Sequence, residues 1–198
     1  MLTAAHVGAG SFALGNTTYL STGTVFTNFT CNSIVADLTL FQINGTPSLT
    51  NLSLANPASG STVQMIGFGG GKSWANNTIY AYVNYTLSDT SYGGPGVITL
   101  ASGLGNSGGQ GVVGDSGGGL FYQSSGTWYL TGIFSGTGDF TSGSTNLGMG
   151  TAAVDLAVYV SQINDDLNSV SAIPKPTVCA AFCGAGVFFA AIGRRRRA

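Results

Sequence analysis

The sequence predicts an all-β domain closed by a single helix. Three observations carry that expectation. Short runs of β-branched and aromatic residues alternate with polar ones, glycine-centred turn signals separate them at regular intervals, and one late segment repeats its apolar residues at helical spacing. The chain has 198 residues, of which 43% are hydrophobic and 11% aromatic, enough to bury a core although only 7% are charged. Glycine supplies 32 residues, and with Ser, Thr and Asn it dominates the remainder. That composition suits many short strands joined by tight turns.

The predicted strands are Gly23–Asn28, Ser33–Ile43, Thr62–Phe68, Thr78–Tyr85, Val97–Leu100, Gly119–Gln123 and Thr127–Phe134. The run I-Y-A-Y-V-N-Y at Ile79–Tyr85 shows the alternation well. Turn chemistry fills the gaps: N-G at Asn44–Gly45, then G-G-G-K, Y-G-G-P-G and G-L-G-N-S-G-G-Q-G. Turn signals of this density over about 150 residues, without helices between strands, predict a sandwich or barrel rather than βαβ units. The exception is T-A-A-V-D-L-A-V-Y-V-S-Q-I-N-D-D-L, Thr151–Leu167. There Val154, Leu156, Val158, Tyr159, Ile163 and Leu167 predict one amphipathic helix. No internal repeat is evident.

Residues 1–168 thus read as one domain, 169–177 as a linker and 178–198 as a separate tail. The linker contains I-P-K-P-T, a stiff turn-forming stretch. Val178 to Gly193 carry no charge, and Arg194 to Arg197 follow. Sixteen helical residues would span ~24 Å, a little less than a ~30 Å hydrocarbon core. The Arg cluster would hold its end on the cytoplasmic side. We read 178–198 as a membrane-targeting or sorting segment, and the protein as exported to the cell surface. No signal peptide precedes His6, so the expectation is a true start upstream of Met1.

Charge excludes one class of partner. Seven Asp and no Glu face two Lys and four Arg, and Lys72 is the only base before residue 173. Nucleic acid, which binds through Lys and Arg contacts to phosphate, has no basic face to meet. Cys31 stands alone in the body, with Cys179 and Cys183 in the tail, so no disulfide framework is legible. One His, no Glu and no Cys/His set with ligand spacing argue against a metal, and no cofactor is expected.

His6 is the only histidine. A lone imidazole is either incidental or the centre of proton handling. The stretch G-D-S-G-G, Gly114 to Gly118, favours the second. A serine hydroxyl is a weak nucleophile until a base takes its proton and an acid orients that base. Flanking glycines let the backbone turn tightly and aim N–H groups at a developing oxyanion.

T-A-A-H (Thr3–His6), A-D-L-T-L (Ala36–Leu40) and G-D-S-G-G occur in the order His, Asp, Ser. On these motifs the chain resembles the trypsin/chymotrypsin-like serine peptidases of the double β-barrel kind. V-Q-M-I-G-F-G (Val63–Gly69) is similar to the strand that opens the family's second barrel. T-G-I-F-S-G (Thr131–Gly136) is similar to the strand along which substrate lies. L-G-M-G-T-A-A-V (Leu147–Val154) with the helix after it resembles the family's C-terminal end, so the likeness covers nearly all of residues 1–167.

The resemblance implies that Ser116 is the nucleophile, that His6 acts as general base and then acid, and that Asp37 orients the imidazole. It places the N–H groups of Gly114 and Ser116 in the oxyanion hole. Asp89 and Asp139, in loop-like stretches, and Asp155, in the helix, are the other acids weighed for the place of Asp37. Asp115 is expected to give structural support. Gln110 would form the base of the primary pocket, with Ser135, Thr137 and Gly148 along its walls. With no acid there, the implied substrate is a peptide or protein cut after small or medium uncharged residues. The family builds strands ahead of its catalytic histidine, whereas five residues precede His6. The domain is therefore expected to be incomplete at its N-terminus, with an open core in that half.

The tail resembles PEP-CTERM sorting signals, with Lys175 in place of that motif's central acid, which implies membrane or sorting machinery as a partner. A second reading is a non-catalytic surface or matrix protein that keeps the peptidase fold as a binding module, its Asn/Thr/Ser-rich surface suited to polysaccharide.

Overall fold

The protein is described by a computed structural model covering residues 1–88, 90–101, 108–142 and 144–171. Met1–Ile163 form one compact unit, and the second, Asn164–Ala198, is described only as far as residue 171. The N-terminal half holds eight short strands: β1 (Leu2–Thr3), β2 (Phe12–Leu14), β3 (Thr17–Tyr19), β4 (Ser21–Phe26), β5 (Thr30–Cys31), β6 (Ile34–Val35), β7 (Thr39–Ile43) and β8 (Ser53–Leu54). Six further strands follow: β9 (Thr62–Gly67), β10 (Ser73–Thr86), β11 (Gly93–Leu100), β12 (Gly119–Ser124), β13 (Thr127–Ser142) and β14 (Thr145–Asp155). The helix α1 (Leu156–Ser171) comes last.

The six later strands close on themselves. Their order is β12-β9-β10-β11-β14-β13, and β13 pairs back onto β12, with every pairing in the ring antiparallel. Closure leaves no unpaired edge in the ring. Alternation puts Val63 and Met65 of β9 inward with Ile79, Val97, Leu120, Phe134 and Ala153, all buried. The N-terminal half is built differently. Its main sheet has three strands, β1-β7-β4, so β1 and β4 are edges, and β2–β3 and β5–β6 are separate hairpins. A second core packs Ala4, Phe29, Ala36, Leu38 and Leu40 against Ile133, Val154, Leu156, Tyr159 and Ile163. Each large apolar side chain buried there contributes about 1.5–3 kcal/mol.

The predicted strands recur, with differences that have physical causes. Ser33–Ile43 is broken: β6 ends at Val35, β7 starts at Thr39, and Ala36, Asp37 and Leu38 between them are all fully buried. The interruption falls at Asp37, and the ladder resumes at Thr39 although Thr39 to Phe41 are buried as well. Strand β13 runs on to Ser142 rather than stopping at Phe134, and pairs with β14 along most of its length. Of the Y-G-G-P-G stretch, expected as a turn, Gly93 to Gly96 lie in β11. There a Cβ at Gly96 would sit 2.4 Å from the Tyr85 ring, so the missing side chain makes room for the tyrosine.

The helix starts at Leu156, not Thr151. Thr151 to Val154 pair with Thr99 to Gly96 on one side and with Thr137 to Ile133 on the other. A strand buried on both faces reads as a continuous apolar run, which periodicity alone does not separate from a helix. Asp155 then caps the helix, its Oδ1 accepting the Ala157 N–H at 3.1 Å. Leu156, Tyr159 and Ile163 face the core, while Val158 and Leu167, expected on the same face, are exposed. The helix continues to Ser171, into the stretch read as linker. The tail 178–198 with Cys179 and Cys183 lies outside the described residues. Among the described residues no helix is long and apolar enough to cross a membrane.

Burial raises the Asp155 carboxyl above its usual range, against the lowering effect of the Ala157 N–H. A group whose folded pKa is raised favours folding while protonated, and that contribution is lost as pH rises through the folded value. An asparagine side chain at this position would keep the cap without the buried charge. Asp155→Asn is therefore expected to raise Tm by a few degrees at pH 7–8, with the gain vanishing towards about pH 4. Thermal melts showing a lower Tm at both pH values would contradict it.

Candidate active site

The site begins with a turn. After β1, the N–H groups of Val7 and Gly8 both bond to the Ala4 carbonyl at 3.2 Å, and this tight turn presents His6. The His6 side chain is 31% exposed, and Asp37 beside it is fully buried. His6 Nδ1 lies 2.7 Å from Asp37 Oδ2, and the His6 main-chain N–H donates to Oδ1 at 3.0 Å. Ser135 Oγ donates to Oδ2 at 2.6 Å. The buried carboxylate therefore receives three hydrogen bonds, which is what offsets its loss of water. With Nδ1–H facing the carboxylate, Nε2 is the nitrogen left to accept a proton.

Ser135 reaches Asp37 through a fault in the ladder. Between Phe134 and Gly136 the β13–β14 register slips, so Ser135 is an extra residue bulged out of the pairing. A bulge re-aims one side chain without ending the strand. The sequence reading placed Ser135 on a pocket wall. It does line the cleft, but its hydroxyl is directed at the acid.

The loop Gly114–Gly118 is held from below by Asp115. This carboxylate, 6% exposed, accepts the Gly69 N–H at 2.6 Å and the Val112 N–H at 2.9 Å. Structural support is the role its sequence context suggested. Backbone contacts complete the clamp: Gly117 N–H donates to Phe134 O at 2.9 Å and Phe134 N–H to Gly118 O at 2.8 Å. Two glycines are required here. Gly114 has φ +95°, open only to glycine, and a Cβ on Gly117 would fall 2.3 Å from Thr3 Oγ1. The T-A-A-H segment is thereby packed directly on G-D-S-G-G.

Ser116 and His6 line the same cleft, a space of about 410 Å³. The Ser116 hydroxyl makes no hydrogen bond among the described residues. Neither the Gly114 nor the Ser116 N–H is bonded to a backbone carbonyl among them. Thr137 also lines the cleft, whereas Gln110 and Gly148 do not. Gln110 sits behind it, its Oε1 accepting the Thr151 hydroxyl at 2.7 Å while its Nε2 is buried without a partner among the described residues. Gly148 pairs with Phe140 further along the β13–β14 hairpin.

Of the other acids weighed, Asp89 lies outside the described residues, Asp155 caps the helix, and Asp139 is exposed on the cleft itself. Sequence reasoning missed Tyr85, which lines the cleft at 7% exposure. Burial first, and the Asp37 charge second among the raising effects, keep that phenol protonated. Nothing marks Tyr85 in the sequence, since its strand holds two other tyrosines, Tyr80 and Tyr82.

A closed antiparallel barrel beside a smaller β half, with a His–Asp pair from one and a glycine-bound serine loop from the other, defines the chymotrypsin-like double β-barrel fold. Among solved structures, the chain is similar to the Rv3671c protease in its inactive form, with a TM-score of 0.58 at 18% identity over 83% of this chain and 77% of that one. It is similar also to an inactive serine-to-alanine mutant of Rv3671c from M. tuberculosis H37Rv, with a TM-score of 0.55 at 18% identity over 83% and 76% of the two chains. No family model and no curated protein matches the chain.

Because both Asp115 oxygens accept backbone N–H groups, an amide in its place would turn one NH₂ against a donor. Asp115→Asn is expected to cost about 1–3 kcal/mol, read as a lower midpoint in urea. An unchanged midpoint would refute the role given to this carboxylate.

Proposed function

We propose that the protein is a serine endopeptidase working through His6, Asp37 and Ser116. The observation that supports this most is the 2.7 Å contact between His6 Nδ1 and a fully buried Asp37, in a cleft that Ser116 shares. A surface histidine gains little from a buried acid unless its tautomer matters. In this reading Ser116 Oγ attacks the peptide carbonyl carbon as His6 Nε2 takes its proton. The Gly114 and Ser116 N–H groups stabilise the oxyanion. The C–N bond breaks, His6 returns the proton to the leaving amine, and water then cleaves the acyl-enzyme by the same steps. The bond from Ser116 to His6 forms as substrate enters, since catalytic hydrogen bonds are often long without it.

Thr137 and Ser135 on the cleft wall, with uncharged Gln110 behind, support cleavage after small or medium uncharged residues. The exposed Asp139 carboxylate would act at the rim rather than at the scissile position. A fluorophosphonate is expected to label Ser116, and His6→Ala is expected to abolish labelling while turnover falls by about 10³-fold or more. Absent labelling would favour the second reading, a non-catalytic binding module, which the unbonded Ser116 hydroxyl supports. Strong preference for Arg or Lys before the cut would refute the specificity.

The same proposal has the protein exported and held at the cell surface by residues 178–198, from the apolar run and Arg194 to Arg197. Removal of 178–198 is expected to shift the protein from the membrane fraction to the soluble one. Identical fractionation with and without the tail would end that part.

A further inference from the structure

A second groove, of about 450 Å³, lies on the outer face of the closed barrel and shares no lining residue with the cleft. It is lined by Gln64 of β9, Trp74 and Asn76 of β10, Phe121 and Gln123 of β12, and Trp128 of β13, among others. The strand register makes it one surface. Asn76, Gln64 and Phe121 stand directly opposite one another across three strands, and Gln123 stands opposite Trp128. Thr62 and Val63 of β9 complete the lining, while Met65 packs in the core.

The chain has two tryptophans, and both line this groove, 67% and 38% exposed. Large aromatic surface left in water at one place marks a binding surface. Its lining also tells which ligand. No charged side chain is among the lining residues, so an anion has no cation to meet and a cation no carboxylate. An apolar segment would cover the tryptophans but strip water from three amides and leave them unpaired. The surface matches a molecule that is apolar on its flat faces, rich in hydroxyls at its edge, and uncharged. Pyranose rings have that character: their C–H faces lie on indole and phenyl rings, and each Asn or Gln amide offers both donors and an acceptor to hydroxyls.

We propose that this groove is a binding site for a neutral polysaccharide strand, separate from the cleft. It holds the protein on a glycan matrix whether or not Ser116 reacts.

The test is native gel electrophoresis of the full chain through gels containing, in turn, mixed-linkage β-glucan, xylan, galactomannan or dextran, with tryptophan emission followed in the same titrations. At least one neutral glycan is expected to retard the protein and shift its emission. Trp74→Ala, at an exposed position, is expected to weaken that binding tenfold or more, with the circular dichroism spectrum and Ser116 labelling unchanged. Gln64→Ala should weaken it less. Three results would overturn the proposal: no retardation by any of the four, retardation only by a charged polysaccharide such as alginate, or a dimer that Trp74→Ala converts to monomer, since a second copy would then fill the groove. Loss of labelling in the parent chain would count against the peptidase reading alone.

Discussion

Everything else in the site depends on a carboxylate hidden from water. Asp37 is fully buried, and a buried charge persists only where donors replace its hydration. Those donors come from distant parts of the chain: His6 lies 31 residues before it and Ser135 lies 98 after. One side chain thus joins the three-stranded sheet to the closed barrel. The contact that orients His6 also ties the two halves together, so the geometry of the site and the local fold share one interaction.

The serine loop is fixed by a different rule, the distance of closest approach between backbones. Its glycines are not interchangeable. A Cβ on Gly118 would lie 2.4 Å from the Ile66 carbonyl, and in neighbouring β9 a Cβ on Gly67 would lie 2.2 Å from Asp115 Oδ1. Gly114 needs a positive φ, and Gly117 needs space for Thr3. With each position closed to a side chain for its own reason, the loop has few alternative conformations. Limited freedom of this kind fixes the backbone on either side of Ser116.

Much of the architecture was legible in the sequence because strands with one wet face alternate. Thr62–Phe68 and Gly119–Gln123 came within a residue of their observed bounds for that reason. Legibility failed where both faces are dry. Ala36 to Leu38 left the ladder so that Asp37 could turn to its donors, and Thr151 to Asp155 looked helical because each is covered on two sides. The motifs named His6, Asp37 and Ser116, and their spacing along the chain says nothing of distance. The hydroxyl of Ser135 on Asp37 follows from a bulge, a one-residue slip that no pattern of residue types encodes. Trp74 and Trp128 share a groove because β12 lies between β9 and β13, and that adjacency belongs to the barrel's closure.

The two halves contribute unequally to the order of the site. Ser116 and Ser135 are tied to a ring without edges, where displacing one strand disturbs two neighbours. His6 follows a two-residue strand whose ladder is Leu2 against Leu40 and Thr3 against Thr39, extended by the Met1 amine on the Phe41 carbonyl. So short a pairing is weak by itself. Its position is secured at the far end by His6 on Asp37 and in the middle by Thr3 on Gly117. The imidazole is therefore placed by its contact with Asp37 as well as by the strand that leads to it.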